Sequence, residues 1–132
     1  MIKDRNIASN ANISLGKINF LWNATVDAQA STATLKNSDF WKVVTNTGAG
    51  AAIVLTLPAA STTKGLVMRV QITAAYQVSL SPVSTDNIFL GGSGVTNKDL
   101  IIAWVIWNYA IIISDGTSYI VTNYSWVLTK EA

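Results

Sequence analysis

The sequence contains no histidine and no cysteine, and these two absences remove most enzyme chemistry at once. Without histidine there is no Ser-His-Asp triad, no imidazole metal ligand, and the commonest general base is missing. Without cysteine there is no disulfide framework, thiolate nucleophile or zinc–thiolate site, and no sign of the redox compartment. The acids that remain are Asp4, Asp27, Asp39, Asp86, Asp99, Asp115 and Glu131, far apart in the chain and mostly beside turn residues. A carboxylate pair of the glycosidase kind would have to be assembled in space, with Asp86 and Asp99 as its candidates. The plainer reading is that both hydrogen-bond turns, as Asp beside Gly or Asn does. No enzymatic activity, cofactor or metal is expected.

Charge is the next shortage, at 12% of residues against about 25% in ordinary soluble domains. The isoelectric point near 9.0 comes from a net charge of only +2. Its cations, Lys3, Arg5, Lys17, Lys36, Lys42, Lys64, Arg69, Lys98 and Lys130, are scattered. A nucleic-acid footprint is a patch or a stripe, so no nucleic-acid partner is expected. Half of the residues, 50%, are hydrophobic. A chain of 132 residues is one domain's worth, and such a domain buries about two-thirds of its unfolded surface. Ser, Thr and Asn supply much of the polar surface but do little to keep apolar patches apart. These proportions predict an obligate oligomer or permanent residence in a larger assembly.

Other signals are also missing. The start, "MIKDRNIASNANISLG", has no apolar core followed by a small-residue cleavage site, so classical secretion is not expected. The glycine stretches "TGAGAA" and "GGSGVTNK" lack the spacing and the Lys-Ser/Thr ending of phosphate-binding loops and read as turns. The acceptor patterns at Asn12, Asn23 and Asn123 are chance matches in a chain rich in Asn, Ser and Thr.

What is present is a dense apolar run at residues 100–113 of "DLIIAWVIWNYAIIISDG", interrupted by Asn108 alone. A membrane-spanning helix needs roughly 20 apolar residues, so this run is too short. It is rich in Ile, Val, Trp and Tyr, which suit a pleated strand, and Asp115-Gly116 offers a reversal into "YIVTN". One parity holds Ile101, Ala103, Val105 and Trp107, and the other Ile102, Trp104 and Ile106. Read as one strand, the run needs cover on both faces.

The rest of the chain divides by texture. Residues 1–22 read as an irregular arm carrying Ile2, Ile7, Ile13, Leu15 and Ile18 among polar residues, and 23–38 as a linker low in large apolar residues. Residues 39–132 hold short strand-like runs separated by turn residues. The plainest is "GLVMRVQIT", with Met68, Val70 and Ile72 inward and Arg69, Gln71 and Thr73 outward; "YQVSLSP" places Val78 and Leu80 inward and Gln77, Ser79 and Ser81 outward. The spacing predicts an all-β fold, a short-strand sandwich, barrel or β-solenoid-like module, with no helix after Asp39.

Three phrases, "VTNTGAGAAIVLTLPAA", "STDNIFLGGSG" and "IIISDGTSYIV", followed by a Trp near the end, resemble in order the β-rich modules of bacteriophage structural proteins found in tail fibres and head-decoration or head-fibre proteins. "NIASNANISLGKI" is similar to the arm that precedes such modules. The resemblance implies an intertwined homotrimer on the surface of a phage particle. Trp104, Ile106 and Trp107 would then lie at the trimer seam, and the arm would dock Ile2, Ile7, Ile13, Leu15 and Ile18 on the major capsid protein or another virion protein. A capsid-decoration role is expected. The alternatives are a tail-fibre or adhesin module that stacks exposed aromatics among Trp22, Trp41, Trp126, Tyr76 and Tyr124 on a host glycan, or a monomeric sandwich in which the apolar run is a central hairpin.

Overall fold

The computed structural model describes residues 25–83, 85–90, 98–125 and 128–130. The strands in chain order are β1 (Thr25–Ala28), β2 (Ala33–Thr34), β3 (Lys42–Thr45), β4 (Ile53–Thr56), β5 (Val67–Gln71), β6 (Val78–Ser81), β7 (Ile88–Phe89), β8 (Leu100–Ile102), β9 (Tyr109–Ser114), β10 (Tyr119–Tyr124) and β11 (Leu128–Lys130). They form a six-stranded sheet, β1-β3-β5-β9-β10-β7, and a five-stranded sheet, β11-β8-β6-β4-β2. Among the described residues the only helical pieces are 3-10 turns at Asn37–Asp39 and Ala60–Thr62. The all-β expectation therefore holds.

The path is less ordinary than a run of hairpins. From β1 to β9 the chain changes sheet at every step, odd strands in the larger sheet and even ones in the smaller. The pairs β1–β3 and β3–β5 are parallel, as are β2–β4 and β4–β6. Parallel neighbours need a crossover, and here the crossover is a strand of the other layer. β9 then joins β5, and β8 joins β6, both antiparallel, which makes each sheet mixed.

Alternation explains how two layers share one core. On β5, Met68 and Val70 are fully buried while Val67, Arg69 and Gln71 are half-buried, as the sequence predicts, and Ile72 beyond the strand is also buried. Leu55, Leu80, Leu100 and Ile102 face them from the smaller sheet, in one cluster with Val44, Ala110 and Ile112 of the larger. Each fully buried Leu, Ile, Val or Met contributes about 1.5–3 kcal/mol. Val78 and Leu80 are inward as expected; Ser79, in the outward register, is also nearly covered and accepts a hydrogen bond from the Gln77 amide at 3.2 Å.

Two expectations are corrected. Residues 100–113 are neither one strand nor a hairpin: β8 ends at Ile102 in the smaller sheet, β9 starts at Tyr109 in the larger, and residues 103–108 join them as a loop. The extended backbone is broken at Trp107, which takes φ +74°, and the completely buried Asn108 bonds the Ala103 carbonyl within the loop. The stretch read as a linker instead adds edge strands β1 and β2 to the two sheets and buries Leu35. Its small residues are enough there because an edge strand is held by its backbone pairing. The arm residues 1–22 lie outside the described residues.

The Asp115-Gly116 turn is where the sequence places it. The Asp115 carboxylate accepts the amides of Ser118 at 2.7 Å and Thr117 at 2.8 Å, and these bonds hold its carboxyl below the ordinary range. Gly116 takes φ +95°, which favours glycine, and a Cβ there would stand 2.9 Å from the Lys64 side chain, which would have to shift.

Candidate functional site

Because the strands alternate between layers, the connections gather at two ends. One end carries residues 29–32, 46–52, 72–77 and 103–108, the last of these at the start of β9 opposite the end of β5. These four connections contain no charged residue. They expose Trp104 (63%), Ile106 (45%), Trp107 (69%) and Val105, together with Tyr76 and, at the end of β10, Tyr124. The three residues expected at a subunit seam thus come together in one loop, where they stand exposed among the described residues.

The loop is held from inside by polar groups. Asn108 donates its side-chain amide to the Ala103 carbonyl at 3.2 Å and accepts the Ser125 hydroxyl at 2.9 Å. Its backbone N–H bonds the Val105 carbonyl at 3.0 Å, closing a tight turn around Ile106 and Trp107. Trp107 N–H donates to the Ile72 carbonyl and Ile72 N–H to the Asn108 carbonyl, both at 2.8 Å, so the β5–β9 pairing continues one step into the loop. Trp107 itself takes φ +74°. For a bulky residue this conformation costs about 1–3 kcal/mol and persists only where the surroundings impose it.

Asn46 secures the neighbouring loops. Fully buried, it donates to the carbonyls of Ala74 and Tyr76 at 2.9 and 3.0 Å, and its Oδ1 accepts the amides of Thr73 and Ala74 at 2.8 and 2.9 Å. The charge-free end is therefore a fixed surface. It can bury apolar and aromatic groups against a partner and offer Thr, Asn and Gln hydrogen bonds around them.

The other expected residues fall elsewhere. Trp41 packs against the core, whereas Trp22 and Trp126 lie outside the described residues, as do the docking residues Ile2, Ile7, Ile13, Leu15 and Ile18. Asp86 is buried, and its carboxylate accepts the Ala60 amide at 2.7 Å, a bond to a 3-10 turn distant in the chain and not to its own turn. Asp27, on β1, has its carboxyl raised above the ordinary value by burial and by the neighbouring Asp39 carboxyl. Asp39 is itself occupied by the Lys36 amide at 2.7 Å and by Lys42 at 3.8 Å. Among the described residues no three His, Cys, Asp or Glu side chains gather to hold a metal ion.

Sequence reasoning missed that the uncharged connections share one end. The only local signal was Asn108, the odd polar residue in an apolar run. No protein-family model matches the chain, and no curated protein matches it. What defines it is thus the architecture itself: a two-sheet all-β protein with an exposed aromatic loop at a charge-free end.

Proposed function

We propose that the chain is a structural component of a phage particle, a homotrimeric capsid-decoration protein with Trp104, Ile106 and Trp107 at the trimer seam. The observation that carries the self-assembly is the exposed apolar loop at 103–108, in a chain with so little charge. The phage setting rests on the resemblance of the strand-and-turn phrases and of the arm. The first three strand pairs, β1–β2, β3–β4 and β5–β6, act as successive coils of a solenoid-like module that three chains share. The arm, through Ile2, Ile7, Ile13, Leu15 and Ile18, docks each chain on the major capsid protein or another virion protein. Three linked arms bind far more tightly than one, and binding only the assembled shell stabilises it.

Light scattering tests the assembly: a mass of three times 14.1 kDa is expected, and a well-behaved single chain at micromolar concentration overturns it. Labelling the protein on intact particles tests the setting, with capsid lattice positions expected.

A second reading, a tail-fibre or adhesin module for a neutral host glycan, is favoured by the charge-free end with its exposed Tyr76 and Tyr124. Label at the tail, together with loss of adsorption in Tyr76→Ala, supports that reading over the first.

A further inference from the structure

β9 is apolar on both sides. Ala110 and Ile112 are fully buried in the core, while Ile111 and Ile113 stand in the outward register of the six-stranded sheet. Pairing extends each of them into a row across the sheet, Val26, Val43, Arg69, Ile111 and Asn123 in one and Val67, Ile113, Ile120 and Phe89 in the next. In the smaller sheet the corresponding outward rows are Thr34, Thr56 and Ser81, and Val54, Ser79, Ile101 and Thr129. The smaller layer thus turns mostly hydroxyl groups outward, with Val54 and Ile101 among them, and the larger turns mostly branched aliphatic side chains, with Arg69 and Phe89 among them.

We propose that the outer face of the six-stranded sheet, continuous with the Trp107 loop, is the surface on which further copies of this chain seat, three such faces turned toward a common axis. This rests on the self-assembly reading above and extends it from the loop to the sheet.

Size argues that face and loop belong together. Four strand spacings of about 4.8 Å by six residues of about 3.4 Å make a face of roughly 400 Å², half of the roughly 800 Å² per partner that a stable interface needs. Trp104, Val105, Ile106 and Trp107 supply much of the remainder, and the backbone pairing of Trp107 with Ile72 joins them to the sheet without a break.

Charge argues for the occupant. Arg69 is the one charged residue in these rows, its guanidinium 4.1 Å over the Tyr109 ring, and its Nε has no hydrogen-bond partner among the described residues. A lone cation already laid on an aromatic ring does not make a nucleic-acid or anionic-lipid surface, which takes a cluster. A highly charged protein partner would leave its own charges unmatched here. The face fits a nearly neutral, apolar surface with a few amide acceptors, and a copy of itself provides this, with Gln71 and Asn123 in the outward register.

The absence of cysteine makes the test direct. Ile120→Cys replaces a side chain that is 38% exposed in the single chain, so the fold tolerates it. Mild oxidation or a short bis-maleimide is expected to link Ile120→Cys chains into covalent dimers and to leave Thr129→Cys, on the hydroxyl face, unlinked. Ile113→Lys is expected to weaken assembly at least tenfold by light scattering while retaining β-type circular dichroism. If Ile120→Cys does not cross-link and Ile113→Lys assembles as wild type while Trp104→Ala dissociates, the seam is confined to the loop; the sheet inference falls and the trimer reading stands. If the wild-type chain is itself monomeric, the trimer reading falls and this inference with it.

Discussion

At one end of the sheets the chain crosses through residues 35–41, 57–66 and 115–118, which carry Lys36, Asp39, Lys64 and Asp115; at the other it crosses through 29–32, 46–52, 72–77 and 103–108 with no charge at all. Each end also holds one tryptophan at positive φ, Trp41 at 62° and Trp107 at 74°. Trp41 is packed against the core, so the burial of its ring offsets the strain. Trp107 is 69% exposed, so among the described residues its strain is met by backbone hydrogen bonds and not by burial of the ring. The charged end is therefore explained by folding a single chain, with solvated charges outside and buried hydrogen bonds within. The charge-free end is explained only in part, because its buried polar groups hold a surface that stands exposed among the described residues.

The largest effect that breaks this contrast is expected from Asn46→Ala. Its amide serves four backbone groups of the 72–77 connection; alanine leaves the part-buried Thr73 and Ala74 amides and the Tyr76 carbonyl without this partner, while the Ala74 carbonyl keeps the Tyr76 N–H. Each such group costs about 1–3 kcal/mol, and after partial relaxation the loss should be about 3 kcal/mol or more. Thermal unfolding should show a fall of roughly 10 °C for a chain of this size. A loss under about 1 kcal/mol would mean that these loops are held by something other than Asn46.

At the charged end, Tyr119 is the comparable staple. Its ring stacks on Phe40 at 6.1 Å, and its hydroxyl donates to the Pro58 carbonyl at 2.7 Å and meets the Thr63 hydroxyl at 2.9 Å. Burial pushes the phenol up to about 12. A phenol that ionises more readily unfolded than folded costs nothing below pH ~10, where both states hold the proton, and destabilises the fold progressively from about pH 10 to 12. Tyr119→Phe should lose about 1–2 kcal/mol at neutral pH and flatten the alkaline fall in stability. Parallel stability curves for the two proteins above pH ~10 would show that the phenol is not held neutral by the fold.

Much of this molecule follows from local pattern, and the rest depends on pairing that no local pattern records. The inward residues of β5 and β6 and the Asp115-Gly116 turn are legible because alternation and turn chemistry act within a few residues. The change of sheet at every strand is not, since parallel partners such as Val44 and Val70 are far apart in sequence. The edge strands β1 and β2 were illegible for another reason: Thr25–Ala28 and Ala33–Thr34 contain too little apolar bulk to signal a strand. For the candidate site, the apolar run read as one strand with Trp104, Ile106 and Trp107 in it; the structure places those three in a loop, and the two-sided apolar pattern at Ile111 and Ile113 of β9. Consequently Trp104→Ala opens no cavity in a single chain, and its effect should appear only in assembly.

The smallest effect on folding, and the sharpest on the contrast, is expected from Trp107→Gly. Relieving positive φ at a bulky residue is worth about 1–2 kcal/mol, offset by about 0.5–1 kcal/mol for the added freedom of glycine in the unfolded chain. Little burial is lost, because the ring is 69% exposed. The variant chain should therefore unfold within about 1 kcal/mol of the wild-type chain diluted below its assembly range, on the stabilised side. The same change at Trp41 should destabilise, because there the ring is part of the packing. Assembly should respond in the opposite sense, with Trp107→Gly running as a single chain in light scattering. Strain retained at Trp107 is then the cost of presenting an aromatic side chain to a partner copy. If Trp107→Gly destabilises the dilute chain as strongly as Trp41→Gly, the tryptophan belongs to the fold, and the distinction between the two ends disappears.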